Sequence, residues 1–177
     1  RVEYHPRMLA DVNGDGKADI VGFGFDRVLV ALSTGTSFAP MTQWTTDFSY
    51  NAQQWRVEYH PRLLGDVNGD GKADIVGFGF DRVLVALSTG TSFAPMTQWT
   101  TDYSYNAQQW RTEYHPRLLA DVNGDGKADI VGFGYDRVLV ALSTGSGFAP
   151  MTQWTTDFSY NAQQWRVPFH PRLVGEV

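Results

Sequence analysis

The chain has 177 residues, of which 42% are hydrophobic and 14% aromatic, a composition that supports a packed core and excludes a disordered chain. Its formal net charge of −5 argues against a nucleic-acid partner, because proteins that bind phosphate backbones usually present a basic surface. No stretch approaches the roughly 18 to 20 apolar residues that span a bilayer, so no membrane insertion is expected. Cysteine is absent, which excludes disulfides and thiolate metal sites.

One sequence motif occurs four times with a constant period of 55 residues, beginning at Arg1, Arg56, Arg111 and Arg166. A fixed period of this length indicates a repeat architecture rather than one irregular domain. The sequence predicts three full repeats and a partial fourth one that holds only a first strand: 1–55, 56–110, 111–165 and 166–177.

Four short strands are expected in each repeat, and the first repeat illustrates them. Arg7–Val12 is a brief apolar run, Ala18–Gly24 follows a cluster of Asp, Asn and Gly, and Arg27–Ser33 has an unbroken apolar centre. Such a continuous apolar strand is typical of a sheet that is buried on both faces. The last strand, Phe38–Trp44, contains Pro40, which cannot donate to a strand ladder and therefore predicts an edge position.

No segment has the apolar periodicity of a capped helix, so the chain is expected to be all-β. Four antiparallel strands per unit, with the edge strand last, is the composition of a blade in a β-propeller. A β-solenoid is the alternative, although its coils are usually shorter. Three blades per chain do not close a ring, so ring closure by oligomerisation is expected.

An acidic loop precedes the second strand of each repeat. Oxygen-bearing side chains occupy loop positions one, three, five and nine, a glycine at position six permits a sharp turn, and the main-chain carbonyl at position seven is a further donor. Because calcium takes six to eight oxygen ligands, this spacing predicts a structural Ca²⁺ ion in each loop. An ion-free Asx-rich turn is the alternative. The predicted ligands are Asp11, Asn13, Asp15, Lys17, Asp19, Asp66, Asn68, Asp70, Lys72, Asp74, Asp121, Asn123, Asp125, Lys127 and Asp129.

The segment Tyr50–Gly79 reads YNAQQWRVEYHPRLLGDVNGDGKADIVGFG, and the other copies repeat it with small variations. The combination of YNAxxW, HPR, DVNGDGKADIVGFG and VxVALSTG resembles the repeat of the Psathyrella velutina lectin family, within the wider group of integrin-like FG-GAP propellers. The resemblance implies a multivalent lectin that binds N-acetylglucosamine, and in some members sialylated glycans, in pockets between consecutive blades. It also implies calcium in the loops. Members have seven blades, a number that multiples of three cannot reach.

The connector between consecutive blades, Thr45–Arg62 in the first copy, is the richest supply of sugar-binding groups. Sugars need an aromatic surface for the apolar face of the ring and polar side chains for the hydroxyl and acetamido groups. Core packing is the alternative for Trp55, and a structural hydrogen bond is the alternative for His60. The predicted carbohydrate-binding residues are Tyr50, Asn51, Gln53, Trp55, Arg56, His60, Tyr105, Asn106, Gln108, Trp110, Arg111, His115, Tyr160, Asn161, Gln163, Trp165, Arg166 and His170.

Catalysis is not expected from this sequence. Acid–base chemistry needs groups whose environments push their pKa values apart, whereas each His, Asp and Glu here recurs in an equivalent setting. Neither a GxSxG nor an HExxH motif occurs. A protein-interaction propeller of the integrin type, without sugar binding, is the alternative function. Calcium loops and glycan ligands favour an extracellular or cell-surface location.

The expected partner, besides glycans, is a second copy of the chain. An open arc of three blades would expose two apolar blade faces, and large exposed apolar patches mark association sites. The two ends of the arc differ, so contacts between copies are head to tail. Because propellers have about four to eight blades, a homodimer with six blades is predicted in preference to a trimer with nine. The spare first strand, Arg166–Val177, is expected to act as a closing clasp between chains.

Overall fold

A computed structural model of the chain describes residues 5–52, 54–107, 109–167 and 170–172. Within these ranges the chain forms β-strands and a short 3₁₀ turn, Ala162–Gln164, and no helix in them is long and apolar enough to cross a membrane. The prediction of an all-β chain is confirmed. The strands are β1 (Arg7–Ala10), β2 (Asp19–Phe23), β3 (Val28–Ala31), β4 (Thr42–Thr45), β5 (Arg62–Gly65), β6 (Asp74–Phe78), β7 (Val83–Ala86), β8 (Thr97–Thr100), β9 (Arg117–Ala120), β10 (Asp129–Phe133), β11 (Val138–Ala141) and β12 (Thr152–Thr155).

The strands form antiparallel sheets of four, which confirms the predicted blade. In each sheet the spatial order is the chain order: β1-β2-β3-β4 in blade 1, β5-β6-β7-β8 in blade 2 and β9-β10-β11-β12 in blade 3. In blade 1 the register of the first pair runs from Arg7 opposite Gly22 to Ala10 opposite Asp19. The last strand of each blade lies at the sheet edge, where its preceding proline predicted it.

The edge strand is shorter than the sequence predicts. In blade 1 it begins at Thr42 rather than at Phe38, and Phe38 forms only an isolated bridge with Ser33. Pro40 lies between this bridge and the strand. Because proline has no N–H to donate and a fixed φ, the ladder is interrupted there and resumes two residues later.

The blades pack side by side, with their first strands β1, β5 and β9 next to one another. The second strands record this packing: every residue of β6 and β10 is buried, whereas β2 alternates between buried and half-buried residues. Blade 1 covers this strand in blade 2 and blade 2 covers it in blade 3, whereas no described blade covers β2. The sequence predicted burial on both faces for the third strand instead; there β3 alternates between buried and half-buried residues, and Leu84 of β7 and Leu139 of β11 are half-buried.

Two aromatic side chains of the connector fill the space between consecutive blades. Phe48 and Trp55 leave blade 1 and pack against Gly77 in the second strand of blade 2. A Cβ atom at Gly77 would lie 2.5 Å from Cη2 of Trp55 and would also collide with Phe48. Glycine is required here because only a residue without a side chain leaves room for both rings.

The next pair of blades repeats this contact. Tyr103 and Trp110 pack against Gly132, where a Cβ atom would lie 2.6 Å from Cη2 of Trp110. At the equivalent Gly22 of blade 1 the nearest atom to such a Cβ lies 3.8 Å away. We call this glycine of the second strand, with the space above it that receives two connector rings, the seat. The seat is also present at Gly22, but no described ring occupies it.

The connector backbone is in the left-handed conformation at the first of the two aromatic residues that pack on the next blade. Phe48 has φ of 59° and Tyr103 also has φ of 59°, a conformation that non-glycine residues seldom adopt. The Phe48 carbonyl accepts a hydrogen bond from Nη1 of Arg62 at 2.9 Å, and Arg117 binds the Tyr103 carbonyl at 3.1 Å. Since Arg62 begins the first strand of the next blade, this bond ties each connector to the blade it enters.

The acidic loops also take part in hydrogen bonds that join consecutive blades. The N–H of Ala73 in blade 2 donates to the Asp11 carbonyl of blade 1 at 2.7 Å, and Ser88 Oγ donates to the Val12 carbonyl at 2.5 Å. Ala128 and Ser143 make the same bonds from blade 3 to the loop of blade 2. These bonds fix the rotation of one blade relative to the next.

The free face of blade 1 is apolar. Phe38 is 47% exposed there, whereas the equivalent Phe93 of blade 2 is 5% exposed because it packs on Trp44 of blade 1. Leu9 and Met41 on the same face are 66% and 68% exposed. Blade 1 therefore lacks the cover that blades 2 and 3 receive from the blade before them.

The free face of blade 3 carries the opposite half of the same contact. Trp154 is 50% exposed, whereas the equivalent Trp44 is 6% exposed under the next blade. Phe158 is 48% exposed, whereas Phe48 in the same repeat position is completely buried. The two ends of the chain thus show the two complementary sides of the blade contact, the seat on blade 1 and the rings on blade 3.

The hydroxyl group of Tyr103 is expected to destabilise the folded chain. Its ring is completely buried, its Oη has no hydrogen-bond partner among the described residues, and burial raises its pKa far above the ordinary value. Leaving a hydroxyl unpaired inside a protein costs about 1 to 3 kcal/mol. Tyr103→Phe should therefore increase the free energy of unfolding by about 1 kcal/mol in urea titrations.

The reciprocal change provides the control, because copies one and three carry Phe48 and Phe158 at this position. Phe48→Tyr should lower the free energy of unfolding by a similar amount. Unchanged stability in both variants would mean that the hydroxyl finds a partner, such as a buried water, and would contradict the prediction.

Candidate functional site: the clefts between blades

A cleft opens where each connector meets the following blade. The cleft on blade 2 has a volume of about 300 Å³, and the cleft on blade 3 has a volume of about 160 Å³. Both are lined by a connector Trp and His, the turn between the second and third strands, and a Leu and a Met of the blade. The lining residues are Trp55, His60, Gly79, Phe80, Asp81, Arg82, Leu84 and Met96 in the first, and Trp110, His115, Gly134, Tyr135, Asp136, Arg137, Leu139 and Met151 in the second.

Exposed aromatic rings form the rim of the cleft on blade 2. Tyr59 and Phe80 are 42% and 45% exposed, although both are large and apolar. Tyr105 lies edge-on to both, with ring centroids 5.5 Å from Tyr59 and 5.5 Å from Phe80. On blade 3 the rim consists of Tyr114, Tyr135 and Tyr160 in the same arrangement. An aromatic surface open to solvent is what the apolar face of a sugar ring can stack on.

Trp55 lies beneath the rim and belongs mainly to the core. Its ring is 3% exposed and packs on Phe48 at 4.8 Å between centroids as well as on Gly77. Its remaining edge lines the cleft. Most of the Trp55 surface is therefore packed in the core, which was the alternative interpretation of this residue. A sugar could reach only the edge of its ring.

His60 is buried and oriented by the backbone. Its Nδ1 accepts a hydrogen bond from the N–H of Arg56 at 3.2 Å, which places the proton of the neutral ring on Nε2. Burial, with smaller contributions from the neighbouring arginines, lowers the pKa of His60 to about 4. The ring is neutral at physiological pH, and its edge contacts Phe80 at 4.1 Å between centroids. The same holds for His115, whose pKa is also lowered to about 4 by burial.

A charged pair lies on the turn that forms the other wall. Arg82 donates from Nε and Nη2 to the two carboxylate oxygens of Asp81 at 2.8 and 2.6 Å. The hydrogen bond from Arg82 lowers the pKa of Asp81, so the carboxylate stays ionised. Both side chains are exposed. They offer donors and acceptors to a polar ligand beside the aromatic rim.

Tyr50 and Asn51, predicted to share one site with Trp55 and His60, lie at a different turn. The N–H groups of Tyr50 and Asn51 donate to the carbonyls of Gly24 and Phe25 in blade 1, at 3.1 and 2.7 Å. The Tyr50 ring stacks on Phe25 at 5.2 Å between centroids. One connector therefore contributes to two successive clefts, its first half to the blade it leaves and its second half to the blade it enters.

Arg56 stands between the two halves. Its guanidinium lies 3.6 Å above the Tyr50 ring and donates to the Tyr50 carbonyl at 2.9 Å, a cation–π contact combined with a hydrogen bond. Arg111 and Arg166 lie above Tyr105 and Tyr160 in the same way. These arginines hold the first half of each connector against its own blade.

The third set of predicted residues follows blade 3, and the structure describes no further blade beyond it. Trp165 packs on Phe158 at 5.1 Å and on His170 at 5.4 Å between centroids, as in the other copies. Asn161 donates from Nδ2 to Asp136 at 2.9 Å, which adds a polar group beside the cleft on blade 3. Asn51 and Asn106 are exposed on the equivalent turns. Gln53 and Gln108 lie outside the described residues, and so does the side chain of Gln163.

Two parts of the cleft were missing from the sequence prediction: the rim residues Tyr59 and Phe80, and the pair Asp81–Arg82. A signal for Phe80 and the Asp81–Arg82 pair exists in the sequence, because each copy places an aromatic residue directly before Asp-Arg on a tight turn, as GFGFDR or GFGYDR. A turn has no core to receive an aromatic side chain. The pattern can therefore be read as a surface aromatic residue with a polar pair beside it.

The acidic loops are closed by hydrogen bonds from their own backbone. The carboxylate of Asp11 accepts the N–H groups of Gly14 and Gly16 at 2.7 and 2.6 Å. Asp19 is buried and accepts from the N–H groups of Val12 and Ser33. Asp66 and Asp121 repeat the first pattern, and Asp74 and Asp129 repeat the second.

Lysine side chains neutralise part of this charge. Lys17, predicted to offer its carbonyl, pairs through Nζ with Asp15 at 2.7 Å, and Lys72 and Lys127 pair with Asp70 and Asp125. In the part of the chain that the structure describes, no group of three or more acidic or histidine side chains is gathered closely enough to hold a metal. The loop oxygens are the correct donor type for calcium, and calcium binding stays a prediction.

Comparison with known proteins relates the chain to lectins. The solved structure of an Agrocybe aegerita lectin, described as specifically recognising non-reducing terminal N-acetylglucosamine, matches with a TM-score of 0.86 and 41% identity over 94% of this chain. This chain spans 42% of the length of that lectin. No family model matches the chain, and no curated protein matches it.

More distant structures share the fold alone. The Photorhabdus luminescens Tc holotoxin pore matches 85% of this chain and 7% of its own with a TM-score of 0.65 and 22% identity. A TcdB2–TccC3 structure matches 74% of this chain and 6% of its own with a TM-score of 0.56 and 20% identity. Identities this low carry no functional information.

Four-stranded antiparallel sheets are joined by connectors whose aromatic side chains pack on the following sheet. This arrangement defines the chain as a series of β-propeller blades. Within that class it is related to the fungal lectins of the Psathyrella velutina type, a resemblance that the Agrocybe aegerita match confirms.

Proposed function

We propose that the chain is a multivalent lectin that binds terminal N-acetylglucosamine in the clefts between its blades. The observation that carries this proposal is the cleft itself, in which exposed aromatic rings stand beside an Asp and an Arg side chain at both blade junctions of the described chain. The similarity to the Agrocybe aegerita lectin supports the choice of sugar.

The chemistry of the cleft suits an acetamido sugar. The rim residues Tyr59 and Phe80 offer surface for the apolar C–H face of the ring, and Asp81 with Arg82 offers acceptors and donors for hydroxyl groups. Leu84 and Met96 also line the cleft and offer apolar surface to an acetamido methyl group. Because His60 is neutral and buried, it adds polarity to the floor without adding charge.

Repetition of equal sites favours binding over catalysis. Both clefts contain the same residue types, apart from Phe80 in one and Tyr135 in the other, so no cleft has an acid and a base that differ from those of its neighbour. Identical weak sites on one rigid body gain avidity toward multivalent surfaces by a factor of about 10² to 10⁴. We therefore infer a binding protein that acts on glycan-coated surfaces.

We also propose a structural calcium ion in each acidic loop. The loop of blade 2 offers Asp66, Asn68, Asp70 and Asp74 with the Lys72 carbonyl. Burial, together with the charges of Asp70 and Asp66, raises the pKa of Asp74 to about 7 although two N–H groups bind its carboxylate. A cation would offset both the burial and the repulsion. Its role would be to hold the loops that link consecutive blades.

Finally, we propose that two chains close a six-bladed ring. The support comes from the chain ends: blade 1 has an empty seat at Gly22, and blade 3 has exposed rings at Trp154 and Phe158. The same contact occurs twice inside the chain, so a second copy can bind through residues that already pack together. The closing-clasp expectation concerns residues 166–177, of which 168, 169 and 173–177 lie outside the described residues, and it stays a prediction.

The sugar site is tested by removing the rim ring of each cleft. Phe80→Ala combined with Tyr135→Ala should weaken binding of N-acetylglucosamine at both clefts by about tenfold or more, measured by titration calorimetry with the methyl glycoside, because the stacking surface is lost. Both rings are nearly half exposed, so the free energy of unfolding should change by less than about 0.5 kcal/mol per substitution. Gln98→Ala on the exposed edge strand β8 is the control. Undiminished binding in the double variant would reject these clefts.

The calcium proposal is tested by chelation. EGTA should lower the Tm by at least about 5 °C and added calcium should restore it, because a ligand that binds only the folded state stabilises it. Asp70→Ala should make the effect of EGTA smaller, since one of the loops can no longer bind. Glu113→Ala, which removes an exposed carboxylate outside the loops, should leave the effect intact. Identical melting curves with EGTA and with calcium would contradict a structural ion.

Ring closure is tested by mass. Light scattering should give about twice the chain mass of 19.8 kDa. Gly22→Ala should give a folded monomer, because a methyl group there would collide with the incoming rings, as it would at Gly77. Gly147→Ser restores the residue of the other two copies and should leave the dimer intact. A monomeric parent chain, or a dimer that tolerates Gly22→Ala, would contradict this assembly.

A further inference from the structure

We infer that Met96 and Met151 are oxidation sites, and that conversion of their thioethers to sulfoxides turns off sugar binding in the two described clefts. The inference rests on the proposed lectin function for its consequence and on the structure of the clefts for its location. The chain has four methionines, and three of them, Met41, Met96 and Met151, directly precede the last strand of a blade. Met96 and Met151 line the clefts on blades 2 and 3.

Hydrogen bonds between blades fix the backbone of these two methionines. Met96 follows Pro95 and lies outside the ladder of β8, so its N–H is not used in the sheet. That N–H donates to the carboxylate of Asp47, on the connector that leaves blade 1, at 3.1 Å. The N–H of Met151 donates to Asp102 at the same distance. Each methionine is therefore held where a connector meets the following blade.

The two side chains lie between the core and the cleft. Met96 is half-buried and packs on the buried cluster that contains Trp55, and it also lines the cleft on blade 2. Met151 is half-buried and packs in the same way on the cluster that contains Trp110. A small oxidant that enters the cleft therefore meets these side chains without unfolding of a blade.

Hydrogen peroxide is an oxidant small enough to enter the clefts, and its reaction with a thioether is balanced. The sulfur lone pair attacks one peroxide oxygen, an S–O bond forms, the O–O bond breaks, and the other oxygen leaves as water after proton transfer. The sulfur is oxidised and the peroxide is reduced. The product, methionine sulfoxide, is polar and is converted back to methionine by sulfoxide reductases, so the modification is reversible.

The sulfoxide changes the cleft on blade 2 in two ways. It places a polar S=O group on the apolar surface that Met96 offers to an acetamido methyl group. It also adds a hydrogen-bond acceptor to a cleft in which Nε2 of His60 is buried and has no partner among the described residues. The sulfoxide oxygen then competes with the sugar for the Nε2–H donor. In the cleft on blade 3, His115 offers the same unpartnered donor.

Repetition makes the effect of oxidation collective. Both described clefts carry a methionine at the same position, so one oxidant acts on both. Because avidity toward a glycan-coated surface depends on several sites binding together, loss of affinity at each site lowers surface binding more steeply than binding of a single sugar.

Peroxide treatment of matched chains tests this switch. All chains carry Met41→Leu, which removes the most exposed methionine, and peptide mass spectrometry follows oxidation at each of the others. Once Met96 and Met151 are oxidised, titration calorimetry with methyl N-acetylglucosaminide should show binding weakened by about tenfold or more. A methionine sulfoxide reductase should restore binding. The circular dichroism spectrum should remain that of the folded chain throughout.

Leucine variants and the sugar itself provide the controls. Met96→Leu combined with Met151→Leu keeps apolar side chains of similar volume without the thioether, so treated and untreated samples of this variant should bind the sugar equally. Met8→Leu removes a methionine outside the clefts and should leave the loss on oxidation intact. Saturating sugar should slow oxidation of Met96 and Met151 by about tenfold, because only the free cleft admits the oxidant, and should not slow that of Met8.

The outcomes separate the switch from the function on which it rests. Sugar binding that survives sulfoxide formation at both methionines refutes the switch, and so does resistance of Met96 and Met151 to peroxide in the folded chain. A loss of binding that the leucine variant shares, or that accompanies unfolding, refutes it as well. An untreated chain that does not bind the sugar would reject the proposed lectin function, and the switch with it.

Discussion

The insertion of two connector rings into the glycine seat of the following blade is the contact on which the rest of the structure depends. A single four-stranded sheet must bury its apolar face against another element to form a core. Each blade here gains cover only from its neighbours, and the tightest part of that cover is Phe48 with Trp55 against Gly77. The strained backbone of Phe48 and the buried Arg62 that holds its carbonyl both serve to aim these rings.

The candidate site is a consequence of this contact. Because the connector must cross from the outer edge of one blade to the innermost strand of the next, it passes over the turn that carries Phe80, Asp81 and Arg82. The ring of Trp55 that fills the seat at Gly77 also forms the floor of the cleft with its remaining edge. Packing and recognition thus share one residue, which explains why the tryptophan is nearly buried while the rim is exposed.

The sequence was sufficient for much of the fold. The 55-residue period predicted the blades, and Pro40 identified the edge strand. The unbroken apolar run indicated a third strand buried on both faces, whereas the strands buried at every residue are the second strands of blades 2 and 3. The exact start of β4 could not be predicted, because whether the ladder survives a proline depends on which N–H faces the neighbouring strand. The need for glycine at position 77 was also hidden, since it comes from rings more than twenty residues away in the chain.

The site was only partly predictable for a similar reason. The sequence pattern identifies which residues are apolar. How one connector is divided between two clefts depends on how the blades pack in three dimensions. Tyr50 and His60 are ten residues apart and were assigned to a single site, whereas the chain places them at successive turns. The aromatic residue before Asp-Arg was visible in each copy, but its exposure follows only from the blade geometry.

The contact of two aromatic rings with the seat at Gly77 is the main contact that holds consecutive blades together, and one substitution tests it directly. Gly77→Ala should reduce the free energy of unfolding in urea by about 3 kcal/mol or more, because the methyl group must displace two buried rings and the seat has no room for it. Gly22→Ala, measured at concentrations low enough to keep the chain monomeric, should stay within about 0.5 kcal/mol of the parent because its seat is empty. Equal and small losses in the two variants would contradict the account.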